Sequence, residues 1–189
     1  MTALLLPQIK WTNRLRRNTG ERCLVTVDGV DFQIPEPIPW NSKWYSHKFD
    51  GPGLRYEIAV CIHTGDIVSY NGPFECGAWP DLKIFRSRLK GMLGPGEKVI
   101  ADRGYRGDSR TIVPTMARSE QHREAMNVAR ARHETVNGRL KNRGILKQVF
   151  RHGRDKHHIA FRRVLVLTQI AFENGSPPFQ VDDMGDPIV

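Results

Sequence analysis

Three short stretches carry carboxylates where chemistry can use them: VTVDG with Asp28, VIADRGY with Asp102, and RHETVNGRLK with Glu134. Each aspartate closes an apolar, strand-like run, and a glycine follows within two residues. The glutamate falls within a helical pattern. Three carboxylates near one point repel one another unless a cation compensates them. Hard oxygen ligands select Mg²⁺ or Mn²⁺. Two such ions about 4 Å apart activate a water or a sugar hydroxyl and steady the leaving oxygen on a phosphorus. The simpler readings are an Asp-Gly turn at Asp28 and an i, i+4 pair of Arg130 with Glu134 on a solvated face.

The aspartates meet only if their strands are neighbours. CLVTVDG (23–29) and KVIAD (98–102) read as the first and fourth strands. LRYEIAVCI (54–62) and IVSYNG (67–72) read as a hairpin between them. A helix follows, with Leu82, Phe85, Leu89 and Leu93 on one face and Asp81 as its N-cap. That helix supplies the crossover a parallel neighbour needs. Asp28 and Asp102 then share a sheet edge outside the carboxyl ends of their strands.

TIVPTM (111–116) gives a short fifth strand, and FQIPEPIPW (32–40), with three prolines, an extended loop. From Ser119 to about Leu140 a helix carries the apolar stripe Ala125, Val128, Ala129, Val136 and Leu140. Glu134 points away from that stripe, with Arg123, Asn127, Arg130 and Lys141 on its side. A last helix covers 156–173, capped by Asp155. This order predicts an α/β fold, a mixed sheet with flanking helices. The folded unit is expected at 23–173, between a short basic arm (1–22) and a flexible acidic tail (174–189).

The formal charge is +9, and its placement matters more than its size. Residues 118–163 hold 13 Lys or Arg against 4 Asp or Glu, while the rest of the chain balances at 16 against 16. A basic C-terminal third is the footprint of a polyanion such as DNA, held by its backbone rather than read by sequence. Three cysteines without CxxC spacing exclude a disulfide scaffold and a zinc knuckle; Cys23 and Cys61 sit in apolar runs as small hydrophobes. The start, MTALLLPQIKW, reads as neither signal peptide nor membrane anchor, so a soluble intracellular protein is expected.

Other residues have assigned expectations. Asp31 is a loop residue or an outer ligand. Gly104 permits a turn by positive φ or a close phosphate. Gly138 marks a close approach of DNA or a loop. Tyr105 packs with its hydroxyl outward. His152, His157 and His158 face phosphate or solvent rather than zinc. Trp40, Trp44, Tyr45 and Phe49 cover a sheet edge or stack on a base.

The set VTVDG, SHKF with GPGLRYE, ADRGY and RHETVNGRLKNR resembles the DDE transposases of the IS5 and Harbinger kind, over roughly residues 21–172. The resemblance implies a ribonuclease-H-like domain that binds divalent metal, cuts transposon ends and joins them to target DNA. It implies Asp28, Asp102 and Glu134 as catalytic metal ligands, with two ions. It also implies Arg130, Asn137 and Lys141, beside Arg123, as phosphate contacts, and Gly29, Gly104 and Tyr105 as supports. Val30 stands where related proteins often carry a small polar residue, and Pro80 where they carry a histidine. Such proteins commonly have an N-terminal DNA-binding region, and no helix-turn-helix fits before the first strand here. The expectations are therefore a separate sequence-specific DNA-binding protein, a homo-oligomer, and a nuclear place in a eukaryotic cell. The alternative is an inactive or domesticated derivative that binds DNA or forms complexes.

Overall fold

Alternation along the first strand continues beyond Asp28. Val25 and Val27 bury on one face; Thr26, Val30 and Phe32 bury on the other. The result is an eleven-residue strand, β1 (Cys23–Gln33). It pairs antiparallel with β3 (Gly51–Cys61) from Val25↔Cys61 to Gln33↔Gly53. Asp28 therefore lies in mid-strand, not at a strand end. The reason is that Val30 and Phe32 still have core to fill. Asp31 likewise belongs to the strand and not to a loop.

The structure is a computed structural model that describes residues 9–17 and 20–181. Residues 1–8 and 18–19 of the expected arm and 182–189 of the expected tail lie outside the described residues. Within the arm, Trp11–Leu15 form one 3₁₀ turn seated on the domain by Trp11 Nε1 donating to the Met92 carbonyl and by the Arg14–Glu97 pair.

The hairpin is β3 with β4 (Ile67–Glu75), and a two-residue strand, β2 (Tyr45–Ser46), pairs with the start of β3. β5 (Lys98–Ala101) lies parallel to β1, and β6 (Thr111–Ile112) parallel to β5. The main sheet runs β4-β3-β1-β5-β6. β6 stops short of the expected 111–116 because Pro114 opens a 3₁₀ turn. The expected helix over 82–93 is two pieces, α1 (Asp81–Ser87) and α2 (Leu89–Met92), broken at Arg88 with φ −146°.

Helices cover both faces. α1 and α2 pack Phe85, Leu89 and Leu93 on Val25, Val27, Val99 and Ala101. On the other face lie α3 (Glu120–Lys141), the short α4 (Gly144–Lys147) and α5 (Arg154–Glu173). Val136, Leu140, Phe161 and Leu165 close there over Val30, Tyr56 and Ile58. This is a mixed α/β fold with a central mixed sheet flanked by helices.

Two helix readings change. The helix α3 begins where expected, and Ser119 caps it by accepting from His122 N at 3.1 Å. The buried stripe, however, is Met126, Ala129, His133, Val136, Asn137 and Leu140, and Val128 is 41% exposed. Polar Asn137 and His133 have partners on β1, so they could be buried where an apolar pattern did not announce them. Asp155 does not cap α5; Gly153 holds that position, and Asp155 lies in the first turn.

Candidate metal centre and nucleic-acid face

Val27 pairs with Ala101 across the parallel β1–β5 seam. Asp28 is the next residue of β1 and Asp102 follows the last residue of β5, and both line one cleft with residues of α3. Burial raises the Asp28 pKa first; the negative charge of Asp102 adds, while Lys48 and the Gly29 N–H oppose. The Gly29 amide donates to Asp28 Oδ1 at 2.8 Å, and Asn137 Nδ2 donates to Asp28 Oδ2 at 2.9 Å. The Asp102 side chain accepts from Gly104 N at 2.9 Å.

Glu134, one position after the buried His133, is exposed on α3. His133 fixes the register: its Nδ1 lies 2.8 Å from Thr26 Oγ1 on β1. Burial pushes the His133 pKa down to about 4, so the ring is neutral near pH 7. One small cleft is lined by Thr26, Val27, Asp28, Asp102, Arg130, His133 and Glu134. Its cavity of about 10 Å³ is close to what one water-sized occupant needs. All three expected carboxylates thus border one space.

The sequence reading missed Asp81 in this group. Pro80 holds the cap position of α1, and Asp81 makes no capping bond. Its carboxylate lies instead over two glycines. A Cβ on Gly29 would meet Asp81 Oδ1 at 2.5 Å; one on Gly104 would meet Asp81 Oδ2 at 2.7 Å and Asp102 Oδ1 at 3.1 Å. Gly104 is therefore required by a close side chain, not by positive φ or by phosphate alone. Burial raises the Asp81 pKa, with Asp102 and Asp28 adding and Arg55 and Lys48 opposing. Arg55 Nη1 pairs with Asp81 Oδ1 at 3.1 Å, while its Nε and Nη2 donate to both oxygens of Asp31 at 2.7 and 2.9 Å. Burial raises Asp31, and those Arg55 bonds more than reverse it, leaving its pKa low.

Beneath Asp81 sits Glu57, 2% exposed, directly opposite Gly29 on β3. Burial, then the charge of Asp81, pushes its pKa up to about 8. Tyr105 is fully buried beside it, with no hydroxyl hydrogen bond of normal geometry. The tyrosine therefore faces inward, contrary to expectation, because it packs edge-on against Phe85.

The expected phosphate contacts separate. Arg130 borders the cleft, and Lys141 is exposed at the end of α3. Asn137 is 4% exposed and spends its amide on Asp28. Arg123 pairs with Glu120 in solvent. A Cβ added at Gly138 would meet nothing within 4 Å among the described residues, so no described loop explains this glycine. His157 is buried, with Nδ1 2.8 Å from Tyr56 Oη, and is a core histidine; His152 stays exposed. Trp44 lies between Lys43 and Arg154 at 5.0 and 4.5 Å, and Trp40 is 46% exposed.

Among the described residues, no three His, Cys, Asp or Glu side chains converge into a ready metal-coordinating group. The donor chemistry nonetheless fits a hard cation. Asp28, Asp31, Asp81, Asp102 and Glu134 supply five carboxylates against the cations Lys48, Arg55 and Arg130. When all are ionised, the set carries a net negative charge that favours a further cation. Among the described residues, no helix is long and apolar enough to cross a membrane.

Neither a curated protein nor a solved structure matches this chain. A family profile described as DDE superfamily endonuclease matches residues 27–169, from the residue before Asp28 into the last part of α5. That span covers β1 from Val27 onward, β5, the Asp81 helix and the Glu134 helix, and the chain belongs to the DDE superfamily endonuclease family.

Proposed function

We propose that this protein is a divalent-metal-dependent DNA endonuclease or strand transferase, a transposase-like catalytic core of the Harbinger kind. The observation that carries the reading is the one cleft bordered by Asp28, Asp102 and Glu134. The sheet order, with Asp28 on β1, Asp102 just past the end of its parallel neighbour β5 and the glutamate on the covering helix, supports a ribonuclease-H-like domain.

Mg²⁺ or Mn²⁺, as two ions in the active complex, would activate water or a 3′ hydroxyl and steady the leaving oxygen. Asp28, Asp102 and Glu134 would hold them, with Asp81 as an additional carboxylate at the same edge. Asn137 orients Asp28, and His133 sets the register of α3 so that Glu134 overlooks the seam. Gly29 and Gly104 leave room for Asp81. Arg130 and Lys141 hold the DNA backbone, as do the exposed cations of α4 and α5. DNA is the partner; a separate sequence-specific protein and a second copy of this chain are further partners of the assembly.

A supercoiled-plasmid nicking assay with Mn²⁺ tests this reading. Wild type should nick, and Asp102→Ala should abolish nicking while leaving the melting temperature near wild type. Equal rates for both would defeat it. Among the described residues no three carboxylates form a ready metal group, which fits a second reading, a noncatalytic DNA-binding derivative. Salt-dependent DNA binding without cleavage, indifferent to all three carboxylate substitutions, is its signature.

A further inference from the structure

Lys48 lies in the turn between β2 and β3, and its backbone is held from several sides. Its N–H donates to Ser46 Oγ at 3.2 Å, and Ser46 Oγ donates to Asp31 Oδ2 at 2.6 Å. Tyr45 Oη donates to Asp50 Oδ1 at 2.9 Å, closing the turn. The Phe49 ring fills the space over Gly53, where an added Cβ would meet Cζ at 2.6 Å. The root of Lys48 is fixed.

The head of Lys48 is held differently. Its Nζ donates to the carbonyl of Gly29 at 2.5 Å, next in the chain to Asp28. An ammonium has three donors, and this contact uses one. Among the described residues it is in no ion pair, although its charge acts on Asp28, Asp31 and Asp81 together. Lys48 is exposed, on a flexible four-carbon stem. It is a cation shared by three carboxylates and locked to none.

We propose that Lys48 is an exchangeable counter-ion of the acidic site, displaced from the carboxylates by a divalent cation and then taken up by a phosphate oxygen of bound DNA. The inference rests on the functional reading above and adds a role for a residue outside the carboxylate set. Like charges exclude each other from one acidic pocket, so the ammonium competes with the metal in the free protein. An arriving phosphodiester offers the freed ammonium a compact anionic partner. No bond is made or broken by Lys48; it changes partner.

The two halves predict effects of opposite sign, which a merely structural lysine would not produce. In the full chain without DNA, Lys48→Met should bind Mn²⁺ about three- to tenfold tighter by calorimetric titration, as expected when a competing charge leaves. With DNA it should nick roughly 10- to 100-fold more slowly, and the log–log salt slope of DNA binding should fall by about one. Lys48→Arg should lie between, retaining charge without the compact head. Its exposure means that both variants should melt with wild type, and Lys48→Gln serves as a second neutral variant. Unchanged Mn²⁺ affinity or unchanged nicking in both neutral variants overturns the proposal while leaving the carboxylate site standing. A wild type that neither binds Mn²⁺ nor nicks DNA overturns the site reading, and this proposal with it.

Discussion

Asn137 Nδ2 donates to Asp28 Oδ2 at 2.9 Å, a single bond that joins residues 109 apart in the chain. It ties α3 to β1 at the point where the helix must present Glu134. Hydrogen bonds to a carboxylate contribute about 1.5–3 kcal/mol, more than ordinary neutral ones. Asn137→Ala should therefore slow nicking by roughly 10- to 100-fold, as loss of an outer partner of a metal ligand does. Wild-type nicking by this variant, measured beside its melting curve, would remove Asn137 from the site. Asn137→Asp should be worse than alanine, because it places a like charge against Asp28.

Gly29 and Asp81 are coupled by space. A methyl at residue 29 would sit 2.5 Å from Asp81 Oδ1 and must push the carboxylate off Arg55. Gly29→Ala should cost about 1–3 kcal/mol, the usual range for overpacking. The double variant with Asp81→Ala should be less destabilised than the two single costs together, because the clash is gone. Additive melting data across that cycle would show that Gly29 matters for some other reason.

Glu57 gives the domain a pH dependence of definite sign. Its carboxyl pKa is raised to about 8 by burial, so the folded state keeps a proton that the unfolded state releases. Stability from this group is fully present below the unfolded pKa of about 4.5 and declines as pH rises to about 8. The slope is at most about 1.4 kcal/mol per pH unit. Glu57→Gln should leave stability near wild type at pH 5 and exceed it at pH 8, by urea denaturation. A constant difference across that range would mean Glu57 is not the group responsible.

The basic surface makes a graded prediction. Lys147, Arg151, Arg154 and Lys156 are exposed and form no ion pair among the described residues. Each phosphate contact adds about 0.9 to the log–log salt slope of duplex binding. Arg151→Ala with Lys156→Ala should lower that slope by about two in fluorescence anisotropy titrations. Arg123→Ala should lower it less, because Glu120 already balances that charge. Equal effects at both places would argue for a diffuse field rather than a defined DNA path.

The aspartate seam could be foreseen because strand patterns are local. Val25, Val27, Val99 and Ala101 announce two buried strands, and Asp28 and Asp102 interrupt the apolar runs. The parallel register that places them side by side agrees with that expectation. Where β1 ends was not legible: Phe32 and Gln33 looked like the start of a proline loop until β3 paired with them. The α3 stripe was legible in part: Ala129, Val136 and Leu140 are buried as expected, but Val128, counted as apolar, is exposed, and His133 and Asn137, counted as polar, are buried. Periodicity scores a side chain by type and cannot know that Thr26 and Asp28 await those two polar groups.

The sequence by itself determined the order of strands and helices, the basic C-terminal third and the three acidic stretches, because local pattern and charge reside in neighbouring residues. Tertiary structure alone decided that Asp81 leaves its cap position for the glycine-lined seam, that Lys48 reaches the carbonyl beside Asp28, and that Tyr105 and His157 turn inward. Those outcomes depend on which distant backbone lacks a Cβ, which carboxylate finds an arginine, and which ring finds a cavity. Such facts exist only once residues far apart in the chain are packed together.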